Sequence, residues 1–153
     1  MTSLSTEFTT GHVGLNVTDL DRSLDFYAAV FGWEMKGRGD ADGSRYAFIG
    51  DAERLVVTLW EQSSGASDKA QPGLHHLSFQ VGDIGDVHAA EQRVRALGAM
   101  LYHDGIVPHS EGETSGGIFF EDPDGIRLEI YAPAGAGADH PAPYGSGPTC
   151  GFF

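Results

Sequence analysis

Apolar residues alternate with polar ones through Val13, Leu15 and Val17, and again through Leu77, Phe79 and Val81. Period two is the mark of a strand with one buried face. After each run the period lengthens: Leu20, Leu24, Tyr27 and Phe31 fall on one helical stripe closed by Gly32, and Val87, Ala90, Val94 and Leu97 on another closed by Gly98. Asp19 or Asp21, and Asp83 or Asp86, are natural N-caps. Three strand-like runs then follow each helix. They are Trp33 to Lys36, Tyr46 to Gly50 and Leu55 to Trp60, then Met100 to His103, Ile118 to Glu121 and Ile126 to Tyr131.

The halves repeat one plan. His12-Val13-Gly14-Leu15-Asn16-Val17-Thr18-Asp19 reads in register against His76-Leu77-Ser78-Phe79-Gln80-Val81-Gly82-Asp83. Two βαβββ modules, at about 10–61 and 74–131, predict an α+β fold in a single domain over 1–131. Asp122-Pro123-Asp124-Gly125 predicts a tight hairpin, matched in the first module by Asp51 to Arg54. Gln62 to Gly73 is the linker. Gly, Pro and Ala dominate the tail over 132–153, which predicts disorder unless Tyr144, Phe152 and Phe153 anchor it to the body.

A length of 153 residues suits one domain. Nine basic against 22 acidic residues, a net charge of −13, argue against nucleic acid as a partner. No apolar run approaches the roughly 20 residues of a bilayer span, and Met1 to Thr10 lacks the basic and apolar parts of a secretory leader, which points to the cytoplasm. Cys150 is the only cysteine, so a disulfide within the chain is excluded and a metal site has to draw on His and carboxylates. Cys150 reaches such a site only if the tail folds over it.

Strand parity selects the candidates. With Val13, Leu15 and Val17 inward, His12, Gly14 and Asn16 share the other face; likewise His76, Ser78 and Gln80 lie opposite Leu77, Phe79 and Val81. Arg127, Glu129 and Tyr131 lie opposite Ile126, Leu128 and Ile130, and Thr58 takes the place of Glu129 in the first module beside Val56 and Trp60. His12, His76 and Glu129 form a 2-His-1-carboxylate set, which leaves positions open on a divalent ion for substrate. Asn16, Ser78 and Gln80 are candidates to hold the imidazoles. His75 has core-side parity and His88 lies off its helix's apolar stripe.

Gly11 to Asp19, Phe26-Tyr27, Phe31-Gly32-Trp33, His75 to Phe79 and Phe120 to Glu129 together resemble the vicinal oxygen chelate superfamily of glyoxalases, epimerases, fosfomycin-resistance transferases, extradiol dioxygenases and bleomycin-binding proteins. The resemblance covers about Thr10 to Pro133. It implies eight strands curled into a cup, a homodimer, a small-molecule substrate, and metal ligands at His12, His76 and Glu129. Thr58 stands where glyoxalase-like and epimerase-like members carry Glu or Gln. The stretch from His109 to Glu129 is similar to the dioxygenase signature, although Phe119 replaces its tyrosine and the spacer is longer. The expected function is a dioxygenase-like metalloenzyme, with Fe(II) first and Zn, Mn, Ni or Mg as alternatives. His109 is then the acid or base and Thr58 orients metal-bound water. A Lewis-acid glyoxalase, isomerase or transferase is the second expectation, with Arg127, Arg38 and Arg45 as the cations available to a phosphonate; a metal-free sequestering protein is the third.

Overall fold

Asp19 accepts a hydrogen bond from the Arg22 N–H at 3.0 Å, and Asp83 from the Gly85 N–H at 2.6 Å. These caps satisfy amides left free at the start of the two helices, α1 (Leu20–Phe31) and α2 (Ile84–Ala96). The computed structural model describes residues 5–137 and 141–153; expectations for 1–4 and 138–140 lie outside them. In the first module α1 follows β1 (Val13–Val17) and precedes β2 (Glu34–Ala41), β3 (Ser44–Gly50) and β4 (Leu55–Glu61). In the second, α2 follows β5 (Leu77–Gln80) and precedes β6 (Val107–Pro108), β7 (Gly116–Glu121) and β8 (Arg127–Ala132). The predicted α+β class and the duplicated βαβββ order are both observed. The strands divide into two mixed four-stranded sheets, ordered β1-β4-β3-β2 and β5-β8-β7-β6.

The sequence repeat is also a repeat of register. β1 lies parallel to β4 with Gly14 opposite Thr58, and β5 parallel to β8 with Ser78 opposite Glu129. On their other side, Thr58 faces Phe48 and Glu129 faces Phe119.

Two strands differ from expectation. Met100 to His103 holds only an isolated bridge, Leu101 to Phe120, and the ladder partner of β7 is the two-residue β6. The chain turns at Gly105, φ 96°, and Pro108 lacks an N–H to extend the ladder. β2 runs on to Ala41, because Asp42 (φ 53°) and Gly43 (φ 77°) supply the two left-handed positions of a tight hairpin.

One apolar core joins the modules, with Leu15, Val17, Val57 and Leu59 from the first and Ile118, Phe120, Leu128 and Ile130 from the second. Phe31 stacks on Trp33 at 4.3 Å and meets Phe79 at 5.0 Å. Tyr27 donates its hydroxyl to Asp122 Oδ2 at 2.9 Å, and Thr18 and Arg22 bond Asp124, so α1 grips the hairpin of the other module. Thr58 and Glu129 sit on the sheet faces turned away from this core.

The tail docks on the second sheet. Thr149 donates its N–H to the His109 carbonyl at 2.7 Å and its hydroxyl to the Pro108 carbonyl at 2.8 Å. Phe153, 5% exposed, packs on Phe119, Tyr102 and His76. Of the three anchors expected, Phe153 alone is buried: Tyr144 and Phe152 are 44% and 58% exposed and pack on each other. Backbone pairing supplies what the apolar content of this segment does not. Among the described residues no helix is long and apolar enough to cross a membrane.

Candidate metal centre

Glu129 is only 2% exposed although its strand neighbours Leu128 and Ile130 take the core. His109 Nε2 lies 2.5 Å from Oε1, and His76 Nε2 lies 3.4 Å from Oε2. The other His109 nitrogen, Nδ1, meets Ser115 Oγ at 2.9 Å. Among the described residues no Lys or Arg pairs with this carboxylate. A buried carboxylate faced by imidazoles and by no Lys or Arg is short of positive charge, which a divalent cation would supply.

His76 stands just ahead of β5, its Nδ1 2.8 Å from His75 Nδ1, which leaves Nε2 for Glu129. Burial pushes the His76 pKa below its ordinary value, against the upward pull of Glu129. Neutral imidazole is the form that binds metals. Cys150 joins the pair: one ligand atom each from His76, Glu129 and Cys150 lie within 4.8 Å of one another. Burial, then the Glu129 carboxylate, pushes this thiol up. The donor set fits an ion. Tetrahedral bonds of about 2.05 Å to nitrogen and oxygen hold those atoms roughly 3.4 Å apart, the separation found between His76 Nε2 and Glu129 Oε2.

The other candidates lie elsewhere. His12 is exposed ahead of β1 on the first sheet, outside the His76–Glu129–Cys150 group. Thr58 is buried on β4 and accepts the Trp60 indole N–H at 2.9 Å. Trp60 packs with Tyr46 and Phe48, whereas Tyr131 packs on His109, so the aromatic residues that share this strand parity are split between the sheets. Asn16 accepts the Gln62 N–H and Gln80 accepts the Tyr131 hydroxyl, so these amides hold backbone and tyrosine. Arg38 and Arg45 pair with Asp21, and Arg127 lies over the Phe153 ring. His88 is exposed on α2.

Sequence reasoning missed Ser115, which sits in a loop without periodicity. A cavity of about 420 Å³ lined by Phe26, Leu97, Met100 and Asp122 holds none of these candidate ligands; the face over Glu129 is covered by the tail.

The chain is similar to catechol-2,3-dioxygenase of Bacillus subtilis, 27% identical over 134 residues, which are 86% of this chain and 44% of that protein. It thus spans less than half the length of that relative. It is also similar to lactoylglutathione lyase of Haemophilus influenzae, 32% identical over 78% of this chain and 88% of that protein. Among solved structures, a glyoxylase/bleomycin resistance protein/dioxygenase domain from Frankia sp. EAN1pec superposes with a TM-score of 0.73 at 28% identity, covering 84% of this chain and 99% of that one. The fosfomycin resistance protein FosX of Listeria monocytogenes, solved with Mn(II) and sulfate, shares the fold at a TM-score of 0.63 and 22% identity, covering 83% and 93%. Residues 9–130, most of the duplicated βαβββ body, match the family model, and the chain belongs to the Glyoxalase/Bleomycin resistance protein/Dioxygenase superfamily.

Proposed function

We propose that this protein is a divalent-metal-dependent enzyme acting on a small oxygenated molecule, with His76 and Glu129 as ligands and His12 of a second copy as the third. The observation that carries the reading is Glu129, a buried carboxylate faced by two imidazoles and by no Lys or Arg among the described residues. The superfamily ties of the chain support it, and so does the FosX relative that holds Mn(II). His12 and His76 stand at matching places ahead of β1 and β5, each an edge strand of its own sheet. Open edges are where strands of two copies can meet, which supports a homodimer.

A bound ion supplies Lewis-acid polarisation, or as Fe(II) a route for electrons to oxygen. The chain does the rest. His109, with Nε2 protonated, donates to Glu129 Oε1 and fixes the carboxylate so that Oε2 faces His76. Ser115 in turn fixes the His109 ring. This makes His109 a positioning residue in the resting state and the nearest imidazole able to pass a proton. Phe119 and Tyr131 give the substrate an apolar floor.

Oxygen-dependent ring opening is the first reaction to test, because the three-ligand set has Thr58 where a fourth ligand, a second carboxylate, would stand and a catechol dioxygenase is among the relatives. A lyase reaction is second, favoured by the extent to which the chain covers the Haemophilus influenzae enzyme. Protein purified without oxygen and loaded with Fe(II), Zn(II) or Ni(II) is assayed for oxygen uptake with catechols and for lactoylglutathione formation. Glu129→Ala, His76→Ala and His12→Ala should each lower metal content. A Glu129→Ala protein that keeps its full complement of metal defeats the reading.

A further inference from the structure

We infer that Cys150 is a further protein ligand of the ion held by His76 and Glu129, so that the carboxyl-terminal segment closes the site with a thiolate. This rests on the metal reading above and adds a ligand and a latch to it. The family match ends at residue 130, and Cys150 lies beyond it.

Three features hold the sulfur in place. The short 3₁₀ turn Thr149–Gly151 carries it, and Thr149 is pinned to the backbone of Pro108 and His109, the latter beside Glu129. Phe153 anchors the far side of the turn, its ring 5.2 Å from that of His76 and 4.8 Å from that of Phe119. Arg127 lies over the same ring, 5.7 Å from its centre. The segment therefore meets the residues of the metal centre itself, and its one sulfur arrives among the ligand atoms.

The distances suit an ion. Tetrahedral bonds of about 2.3 Å to sulfur and 2.1 Å to nitrogen set those atoms roughly 3.6 Å apart, so the group, already within 4.8 Å, closes by about 1.2 Å at most. Coordination replaces the S–H bond with a sulfur–metal bond, the proton passes to solvent, and no electron changes hands. Thiolate beside imidazole suits Zn(II), Co(II) or Ni(II) rather than Mg(II). With His12 of a second copy the ligand set reaches four, which leaves a tetrahedral ion no open position. The docked segment is then the resting state, and substrate enters as Cys150 and Phe153 lift.

The test uses the full chain loaded with Co(II), whose thiolate complexes absorb by charge transfer in the near ultraviolet. The wild type should show that band. Cys150→Ser should lose it while still binding cobalt, about tenfold more weakly. In the unmutated protein, Zn(II) should slow alkylation of Cys150 at least tenfold, and Phe153→Ala should restore much of that rate. Cobalt bound by wild type without the band, and lost in His76→Ala, overturns the thiolate ligand but leaves the metal reading standing. A wild type that binds no cobalt overturns both, whereas alkylation indifferent to every metal tried overturns the thiolate ligand alone.

Discussion

The two sheets set equivalent residues in equivalent registers and then surround them differently. In the first, Thr58 lies between Gly14 and Phe48, and Trp60 lies opposite Tyr46; the indole N–H closes on the Thr58 hydroxyl while its ring packs with Tyr46 and Phe48. In the second, Glu129 lies between Ser78 and Phe119, and Gly117 lies opposite Tyr131, where the first sheet has Tyr46. No side chain rises at Gly117, and the tail covers the face instead. Duplication fixes the geometry, and a few side chains decide whether a sheet face becomes an aromatic lining or gathers a carboxylate, imidazoles and a thiol.

Gly117→Ala strikes this difference hardest. A Cβ there would lie 1.9 Å from the Ile130 carbonyl oxygen and 2.6 Å from Tyr131 Cα, so β7 would have to leave β8. The expected loss is about 3 kcal/mol or more, read from the denaturant midpoint. At the matching place Tyr46 is half-buried, and Tyr46→Ala should cost roughly 1 kcal/mol. Equal costs at the two positions would mean that the absence of a side chain at Gly117 is not what separates the second sheet from the first.

A paired substitution separates the proposed ligand from its counterpart. Glu129→Gln should weaken Zn(II) binding about 100-fold in equilibrium dialysis, a change of roughly 2.7 kcal/mol. Thr58→Val should leave that affinity unchanged and lower stability by about 1 kcal/mol, because the Trp60 N–H loses its acceptor. If Thr58→Val weakens metal binding as much as Glu129→Gln, the sheets do not divide their labour in this way.

Strand parity brought out His76, Thr58 and Glu129, because a period of two leaves no freedom about which face a side chain takes. It could not say whether two equivalent faces meet. His12 and His76 are copies in sequence, yet each heads the edge strand of its own sheet. The hairpin at Asp42-Gly43 carried its signal in the residue pair that favours left-handed backbone. The ends of β6 carried none, since that strand is only two residues long. Docking of the tail was the least legible part. Its affinity for the body comes from Thr149 reaching two carbonyls and from Phe153 finding a hole between Phe119 and Tyr102, and neither leaves a periodic trace.

The smallest effect expected lies at the ends of β4 and β8. Glu61 accepts bonds from Arg45 Nε at 3.0 Å, Arg45 Nη2 at 2.6 Å and the Leu20 N–H at 2.7 Å; the second sheet has Ala132 at the matching place and no such clamp. The Arg45 hydrogen bonds, and then the Leu20 amide, hold the Glu61 carboxyl below its ordinary range. A carboxylate whose pKa is lower folded than unfolded adds stability in full above the unfolded value and loses it as the pH falls through the folded one. With chelator present, the midpoint of the wild type should therefore fall more steeply between about pH 6 and pH 3 than that of Glu61→Gln. The pair is near the surface, so the difference should be slight and shrink in salt. Parallel curves would mean that Arg45 adds nothing to the first sheet that the second lacks.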